Sequence, residues 1–200
     1  MLTYERVLSY GHIFPLDISC NPDKIIGEVS KFQFAHYNTK KLEIPRQGLS
    51  ITSMDGEINS GDLESLKGTE FKESSFNTPT RVYRESKEVQ KLIDPFKDWM
   101  GRAHFLNIKK GGYFPPHRDE LSIEQESFRI IVPLKEFNPP HNYFIFNDKI
   151  TYLNEGRAYF INTNITHSDI SFSNNCLMVI MNVIACEDSY KKLLMSVHCL

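Results

Sequence analysis

The pattern of hydrophobic and polar positions changes near residue 100. Before it, the pattern predicts helices over residues 21–32, where an Asn-Pro pair offers a cap and a first-turn proline, and over residues 86–93, which a nearby proline ends. Residues 42–55 are expected to be extended. Residues 56–80 are polar and rich in Ser, Thr and Gly, which is typical of a long loop, either a lid or a solvated insertion.

Beyond Gly101 the chain consists of short β-branched and aromatic runs, separated by turns rich in Gly, Asn and Pro. Six strands are predicted: Ala103–Ile108, Phe128–Leu134, Tyr143–Phe146, Lys149–Leu153, Arg157–Asn162 and Leu177–Ile184. A helix over residues 187–197 is expected to follow them. Evenly spaced short strands favour a mainly β fold, a double-stranded β-helix of the jelly-roll or cupin-like kind, with N-terminal helices packed on the sheet.

Length and composition indicate one domain over residues 1–200, with a helical and loop layer over 1–100, a jelly-roll core over 101–186 and a C-terminal helix over 187–200. Net charge is -2 and no apolar run reaches membrane-spanning length, so neither nucleic acid nor a membrane is an expected partner. The 4 cysteines are scattered, which argues against a structural zinc site or a disulfide framework. A reducing, cytoplasmic location is expected.

The strongest chemical signal is the pair His117 and Asp119, with His167 downstream. Period-two alternation places His117 and Asp119 on one face of an extended segment. Two imidazoles and a carboxylate suit Fe(II) and also accept Mn, Co, Ni or Zn. Because the chain has 7 histidines, chance pairs are easily found, and ordinary surface histidines are the competing interpretation. His104, in a predicted strand, is interpreted as a hydrogen-bonded core residue rather than a fourth ligand.

Several segments, in order, resemble the aspartyl/asparaginyl β-hydroxylase family of Fe(II)/2-oxoglutarate-dependent oxygenases. Gly101–Asp119 is similar to the family's Gly-Arg, strand, glycine turn and proximal histidine near a proline. Arg129–Leu134 resembles its arginine-containing strand, and Gly156–Asn162 followed by His167 resembles its distal histidine segment. Arg46–Leu49 resembles a weaker upstream element.

The resemblance implies a set of site residues. His117, Asp119 and His167 would bind iron. Arg129 would line the pocket of the co-substrate 2-oxoglutarate, and Asn107 would make a polar contact to it, in a register uncertain by one residue.

The chain departs from the family pattern at two positions. The family has a second arginine after the distal histidine, which binds the far carboxylate of 2-oxoglutarate, but Leu177 or a neighbour stands there and no Lys or Arg occurs between His167 and Tyr190. The family's histidine in the arginine strand is Ile131 here. A buried dicarboxylate needs a cation beside it. Either 2-oxoglutarate is not used, or another basic residue replaces the arginine. The candidates are Arg129, Arg102, Lys135 and Lys149.

The sequence therefore predicts a 2-oxoglutarate-dependent non-haem iron dioxygenase that uses molecular oxygen to hydroxylate an unactivated C–H bond of an amino acid, a peptide side chain or a small metabolite. One alternative is a catalytically silent jelly-roll protein that binds a metal or a ligand. Another is a cupin-like metalloenzyme that binds its substrate directly on iron. The missing arginine is the main support for the silent protein, whereas retention of both His and Asp argues against it.

Overall fold

A computed structural model of the chain describes residues 2–38, 40–59, 72–119 and 126–198. Antiparallel strands dominate it. The strands are β1 (Ile13–Ser19), β2 (Ala35–His36), β3 (Arg46–Ser50), β4 (Thr52–Ser53), β5 (Thr78–Pro79), β6 (Met100–Ile108), β7 (Tyr113–His117), β8 (Ser127–Lys135), β9 (Asn142–Phe146), β10 (Lys149–Ile150), β11 (Arg157–Ile161), β12 (His167–Ser171) and β13 (Cys176–Ile184). The helices are α1 (Tyr4–Leu8), α2 (Pro22–Val29), α3 (Arg81–Arg84), α4 (Lys87–Ile93) and α5 (Glu187–Met195), with 3-10 turns at Glu73–Ser75 and Asp94–Trp99.

The strands from β6 to β13 form a double-stranded β-helix, as the sequence predicts. The larger sheet has the order β1-β11-β8-β13-β6-β3-β2, and the smaller sheet has the order β10-β9-β12-β7. Successive strands of the core alternate between the two sheets apart from β9 and β10, which are neighbours in the smaller one. This winding brings residues that are far apart in sequence to opposite walls of one interior.

Two hydrophobic clusters lie on either side of the larger sheet. One packs the sheet against the helices and includes Val7, Ile25, Leu92 and Leu193. The other lies between the two sheets and includes aromatic residues such as Phe144. The helices therefore pack on the outer face of the larger sheet, which confirms the predicted layer arrangement.

Burial on both faces explains why the central strand β13 was easy to predict. Residues 176–183 of this strand are all buried, and its sequence is a nearly continuous hydrophobic run. At the start of α2, the side-chain oxygen of Asn21 accepts a hydrogen bond from the Lys24 backbone N–H at 3.1 Å, as expected for a cap.

The structure corrects the prediction for the N-terminal half. Helix α1 and strands β1, β7 and β12 were not predicted, and β1, β2 and β3 belong to the larger sheet, so residues 1–100 are not only helix and loop. Strand β1 contains a proline, which argues against a strand except at an edge, and β1 is an edge strand. The polar loop is also interrupted, since β5 pairs with β4.

Other boundaries differ by a few residues. Helix α2 ends at Val29 rather than near residue 32, and β10 ends at Ile150 rather than at 153. Residues 60–71, the central part of the loop interpreted as a lid or an insertion, lie outside the described residues. Among the described helices, none is both long and apolar enough to cross a membrane.

Gly111 and Gly112 set the turn that leads into β7, and they offer a matched pair for testing this turn. A Cβ atom on Gly112 would lie 2.7 Å from the Pro45 carbonyl oxygen and 2.9 Å from that of Lys109. Gly111 has a φ of +81° but open space around it. We expect Gly112→Ala to lower the free energy of unfolding by about 2–3 kcal/mol through overpacking against backbone.

Gly111→Ala serves as the control, because it introduces only the left-handed strain and should cost about 1 kcal/mol. Urea unfolding of both variants measures the difference. Equal losses in the two variants would contradict the close approach at Gly112.

Candidate metal centre

The pairing of β7 with β12 brings two histidines together. His117 and His167 are direct register partners in this antiparallel pair. Asp119 follows β7, and its backbone N–H donates to the Thr163 carbonyl at 3.0 Å, which fixes the segment next to β12. The structure thus brings together the three residues proposed from the sequence as metal ligands.

The geometry of these three residues suits a single ion. One donor atom from each of His117, Asp119 and His167 lies within 4.8 Å of the others. His117 Nε2 is 3.4 Å from Asp119 Oδ1, and the two imidazole ring centroids are 4.3 Å apart. Two neutral imidazoles with one carboxylate form a donor set that divalent first-row metals accept.

Backbone carbonyls set the tautomer of both histidines. His117 Nδ1 lies 2.7 Å from the Pro115 oxygen, and His167 Nδ1 lies 2.9 Å from the Ile165 oxygen. Because a carbonyl oxygen only accepts, Nδ1 carries the proton in the neutral form of each imidazole, and Nε2 is then the nitrogen with the lone pair. Each partner lies two residues before its histidine, a local relation that the sequence analysis did not identify.

A partly buried arginine balances the charge of Asp119. Arg129 Nη1 donates to Asp119 Oδ2, and Arg129 Nε donates to Asn182 Oδ1 at 3.0 Å. Burial raises the pKa of the Asp119 carboxyl, but the charge of Arg129 and a hydrogen bond from His117 outweigh it and hold this pKa well below its usual range. The Asp119 side chain is therefore an anion with one oxygen held by Arg129.

The two imidazoles respond differently to the same surroundings. The hydrogen bond to Asp119 raises the pKa of His117. Burial lowers the pKa of His167, which favours its neutral form.

The three residues line a cavity of about 510 Å³ between the two sheets. Much of its wall is apolar, and the apolar residues include Leu106, Phe144, Ile161, Met178 and Ile180. A volume in this range suits a small molecule or a single side chain.

The buried polar residues of the cavity wall that were not recognised from the sequence include Asp169 and Asn182. Asp169 lies two positions after His167 on the same strand face, and burial raises the pKa of its carboxyl to about 7. Asn182 lines the cavity beside Arg129. Period-two alternation from His167 could have identified Asp169.

His104 also lines the cavity and is only 1% exposed. Its ring stacks on Tyr37 at 5.6 Å, and burial together with the charges of Arg102 and Arg129 keeps its pKa well below the usual value. Its interior position is as expected. The expected hydrogen bond is not observed, because neither ring nitrogen of His104 has a partner within the described part of the chain.

The remaining predicted residues divide between the two faces of the larger sheet. Arg129 lines the cavity. Asn107 does not: it pairs with Gln47 and Leu177 on the helix-covered side, while its neighbour Leu106 faces the cavity. The structure therefore gives no support to a co-substrate contact by Asn107, because a shift of one residue in a strand reverses the face.

The position expected for the second arginine is apolar. Leu177 belongs to the cluster under the helices, and Met178 faces the cavity. Of the other candidate cations, Arg102 is a cavity residue, whereas Lys135 and Lys149 are exposed and are not among the residues of the cavity wall.

No protein-family model and no curated protein sequence matches the chain. Solved structures similar to it include KdgF from Halomonas sp., with a TM-score of 0.33 and 14% identity over 44% of this chain and 72% of that one. An RmlC-like cupin from Shewanella frigidimarina has a TM-score of 0.32 and 14% identity over 45% and 77%. A mutant of salicylate 1,2-dioxygenase from Pseudoaminobacter salicylatoxidans has a TM-score of 0.32 and 10% identity over 41% of this chain and 20% of that one.

These similarities each cover less than half of this chain. The jelly-roll architecture is defined by the strand order of the two sheets.

The ion pair of Asp119 and Arg129 gives a test of the electrostatics. The side chains are 21% and 20% exposed, so each charge depends on the other for compensation. In metal-free protein at neutral pH, we expect Arg129→Gln to lower the free energy of unfolding by about 1–3 kcal/mol, because the mostly buried Asp119 anion loses the positive charge of its arginine partner.

Adding Asp119→Asn to that variant should restore part of the loss. Chemical denaturation of both single variants and the double variant, in the presence of a chelator, gives the coupling free energy. Losses that simply add would show that the pair does not stabilise the fold.

Proposed function

We propose that this protein is an Fe(II)- and 2-oxoglutarate-dependent oxygenase that hydroxylates a C–H bond of a small molecule or a side chain. The observation that carries the proposal is the convergence of two Nε2 lone pairs, on His117 and His167, with the Asp119 carboxylate at a cavity. The backbone carbonyls of Pro115 and Ile165 hold both imidazoles in the metal-binding tautomer. In metal-binding histidines, the ring nitrogen that does not bind the metal typically donates a hydrogen bond of this kind.

A set of three protein ligands favours a reactive metal over a structural one. Two imidazoles and one carboxylate on one side of the ion leave the opposite positions open, as in non-haem iron oxygenases. Structural zinc sites, in contrast, are closed by four protein ligands. The order of the sequence motifs supports the aspartyl/asparaginyl β-hydroxylase type, which no comparison shows and which remains part of this proposal.

The iron, when bound, would supply oxygen activation and a chelating position for the keto acid. The chain's own residues hold and orient it. Arg129 keeps Asp119 Oδ2 engaged, so that Oδ1 is left beside His117 Nε2. The apolar wall of the cavity would exclude water from the reacting C–H bond.

Metal binding can be tested directly by calorimetric titration with Mn(II). We expect His167→Ala to weaken binding by about tenfold or more, since one of three protein ligands is lost. His141→Ala is a matched control, because His141 is exposed and lies outside the cavity wall. An unchanged affinity in His167→Ala would remove His167 from the metal site.

The co-substrate is tested by anaerobic titration of the Fe(II)-loaded protein with 2-oxoglutarate. Chelation of iron by the keto acid should give a visible charge-transfer band, and succinate should form on admission of oxygen. Both signals should be lost in His167→Ala. Retained metal binding without the band would reject the 2-oxoglutarate function.

Such a result would favour a metal-binding protein without this chemistry or an enzyme that binds its substrate directly on the metal. The apolar Met178 on the cavity wall is the observation that keeps these alternatives open.

A further inference from the structure

Asp119 and Asp169 both line the cavity, but they differ in how their carboxyl groups are compensated. The Asp119 carboxylate accepts a hydrogen bond from the guanidinium of Arg129. Asp169 is only 8% exposed, and among the described residues its Oδ1 has no hydrogen-bond partner. A buried carboxyl oxygen without a partner is costly. Its place on a cavity wall therefore points to a ligand that supplies the partner.

Asn142 is a polar neighbour of Asp169. Its Nδ2 donates to the Phe137 carbonyl at 3.1 Å, and its amide acts against the burial that raises the pKa of Asp169. Asn142 is neutral, however, and no cation among the described residues lowers that pKa. A carboxylate has about four lone-pair sites, so one amide leaves most of its accepting capacity unused.

The arginines of the cavity wall do not compensate Asp169. Arg129 donates to Asp119, and the exposed Arg118 donates to Thr166 Oγ1 at 3.2 Å. Arg102 lies beside the buried Glu73, whose Oε1 accepts from the Arg102 backbone N–H at 2.8 Å. None of these arginines shifts the pKa of Asp169.

Strand β12 directs Asp169 to the same space as the metal ligands. In the regular pairing with β9, His167 lies opposite Phe146 and Asp169 opposite Phe144, so His167 and Asp169 share one face. Two residues along a strand span about 7 Å. A short aliphatic chain anchored at Asp169 would therefore extend towards a metal held by His167.

The surroundings of Asp169 are aromatic, which favours a cation. Its register partners on the two neighbouring strands are Phe114 and Phe144, and all three residues line the cavity. Aromatic faces attract cations, and the ring of Phe114 already has the Arg46 guanidinium 4.0 Å from its centroid. Arg46 is not among the residues of the cavity wall, so a cation inside the cavity has to come from the ligand.

We propose that Asp169 anchors the substrate by accepting a hydrogen bond from an ammonium group at the end of an aliphatic chain. The role as a substrate anchor rests on the proposed function, whereas the binding of an amine does not. The carboxyl supplies the acceptor and the opposite charge, and apolar residues such as Leu106 and Ile161 would pack the chain. A few polar groups in an apolar pocket are typical of sites that fix the orientation of a ligand.

The test compares two probes of equal chain length, butylammonium chloride and 1-butanol, which differ in the terminal group. Each is titrated into Mn(II)-loaded protein, and NMR follows the relaxation of the probe protons by the bound ion, which places the probe near the metal. We expect the wild type to prefer butylammonium by about tenfold or more, as one charge-assisted hydrogen bond gives. Asp169→Asn should abolish this preference by weakening butylammonium alone, with Mn(II) affinity unchanged.

Asp148→Asn is the matched control, because it makes the same chemical change at an exposed residue outside the cavity wall. Asparagine tolerates the φ of 60° at this position, and the variant should keep the full preference. A preference that persists in Asp169→Asn, as direct ligation of the metal by the amine would produce, overturns the anchor. A wild type that shows no preference or binds neither probe overturns it as well.

Titration with 2-oxoglutarate separates the amine site from the proposed function. Loss of the charge-transfer band with an intact preference for butylammonium rejects the substrate role and leaves the amine site standing. A band without the preference overturns the amine site and leaves the proposed function standing.

If Asp169→Asn does not fold, Asp169→Ala takes its place. Because alanine also removes the carboxyl, the preference for butylammonium should again be lost. An unchanged preference in that variant overturns the anchor.

Discussion

The antiparallel pairing of β7 with β12 is the interaction on which the candidate site depends. It sets His117 directly opposite His167, and it continues into the hydrogen bond from Asp119 N–H to the Thr163 carbonyl. Strand pairing fixes register to a single residue, because a slip by one would turn each side chain to the other face. The metal-binding geometry is thus a property of the smaller sheet and its edge.

Electrostatics then define what the site can hold. A mostly buried carboxylate is stable only with a partner, and Arg129 provides it for Asp119 while Asn182 holds Arg129 in turn. The same charge keeps Asp119 ionised, which a metal ligand must be. The protein therefore stabilises the anionic ligand before any ion is present.

The larger sheet contributes the other wall and the second source of charge. Its central strands present apolar side chains to the cavity, and Arg102 joins that wall because it lies two residues before His104 on the same face of β6. A β-bulge between Ala103 and Met100 then turns Met100 to the opposite face of the strand. It lets a cation face the interior while Met100 still packs under the helices.

The sequence predicted those elements whose residue pattern has a local physical cause. Strands β6, β8 and β13 are apolar because helices or the opposite sheet cover them. The spacing of His117 and Asp119 predicts that both side chains lie on one face, because side chains alternate along an extended chain. Strands β7 and β12 were missed because prolines and polar residues dominate them. Asn107 was placed in the pocket because a single strand does not tell which face is interior.

The sequence by itself determined the jelly-roll class, the layer of helices and the three candidate ligands, since each follows from periodicity and residue chemistry over short distances. Only the tertiary structure decided that His117 faces His167, that Arg129 belongs to Asp119, and that Arg102 rather than Asn107 points into the cavity. These facts depend on strand pairing and on strand register. Both are set by contacts between segments far apart in the chain, which a local pattern does not specify.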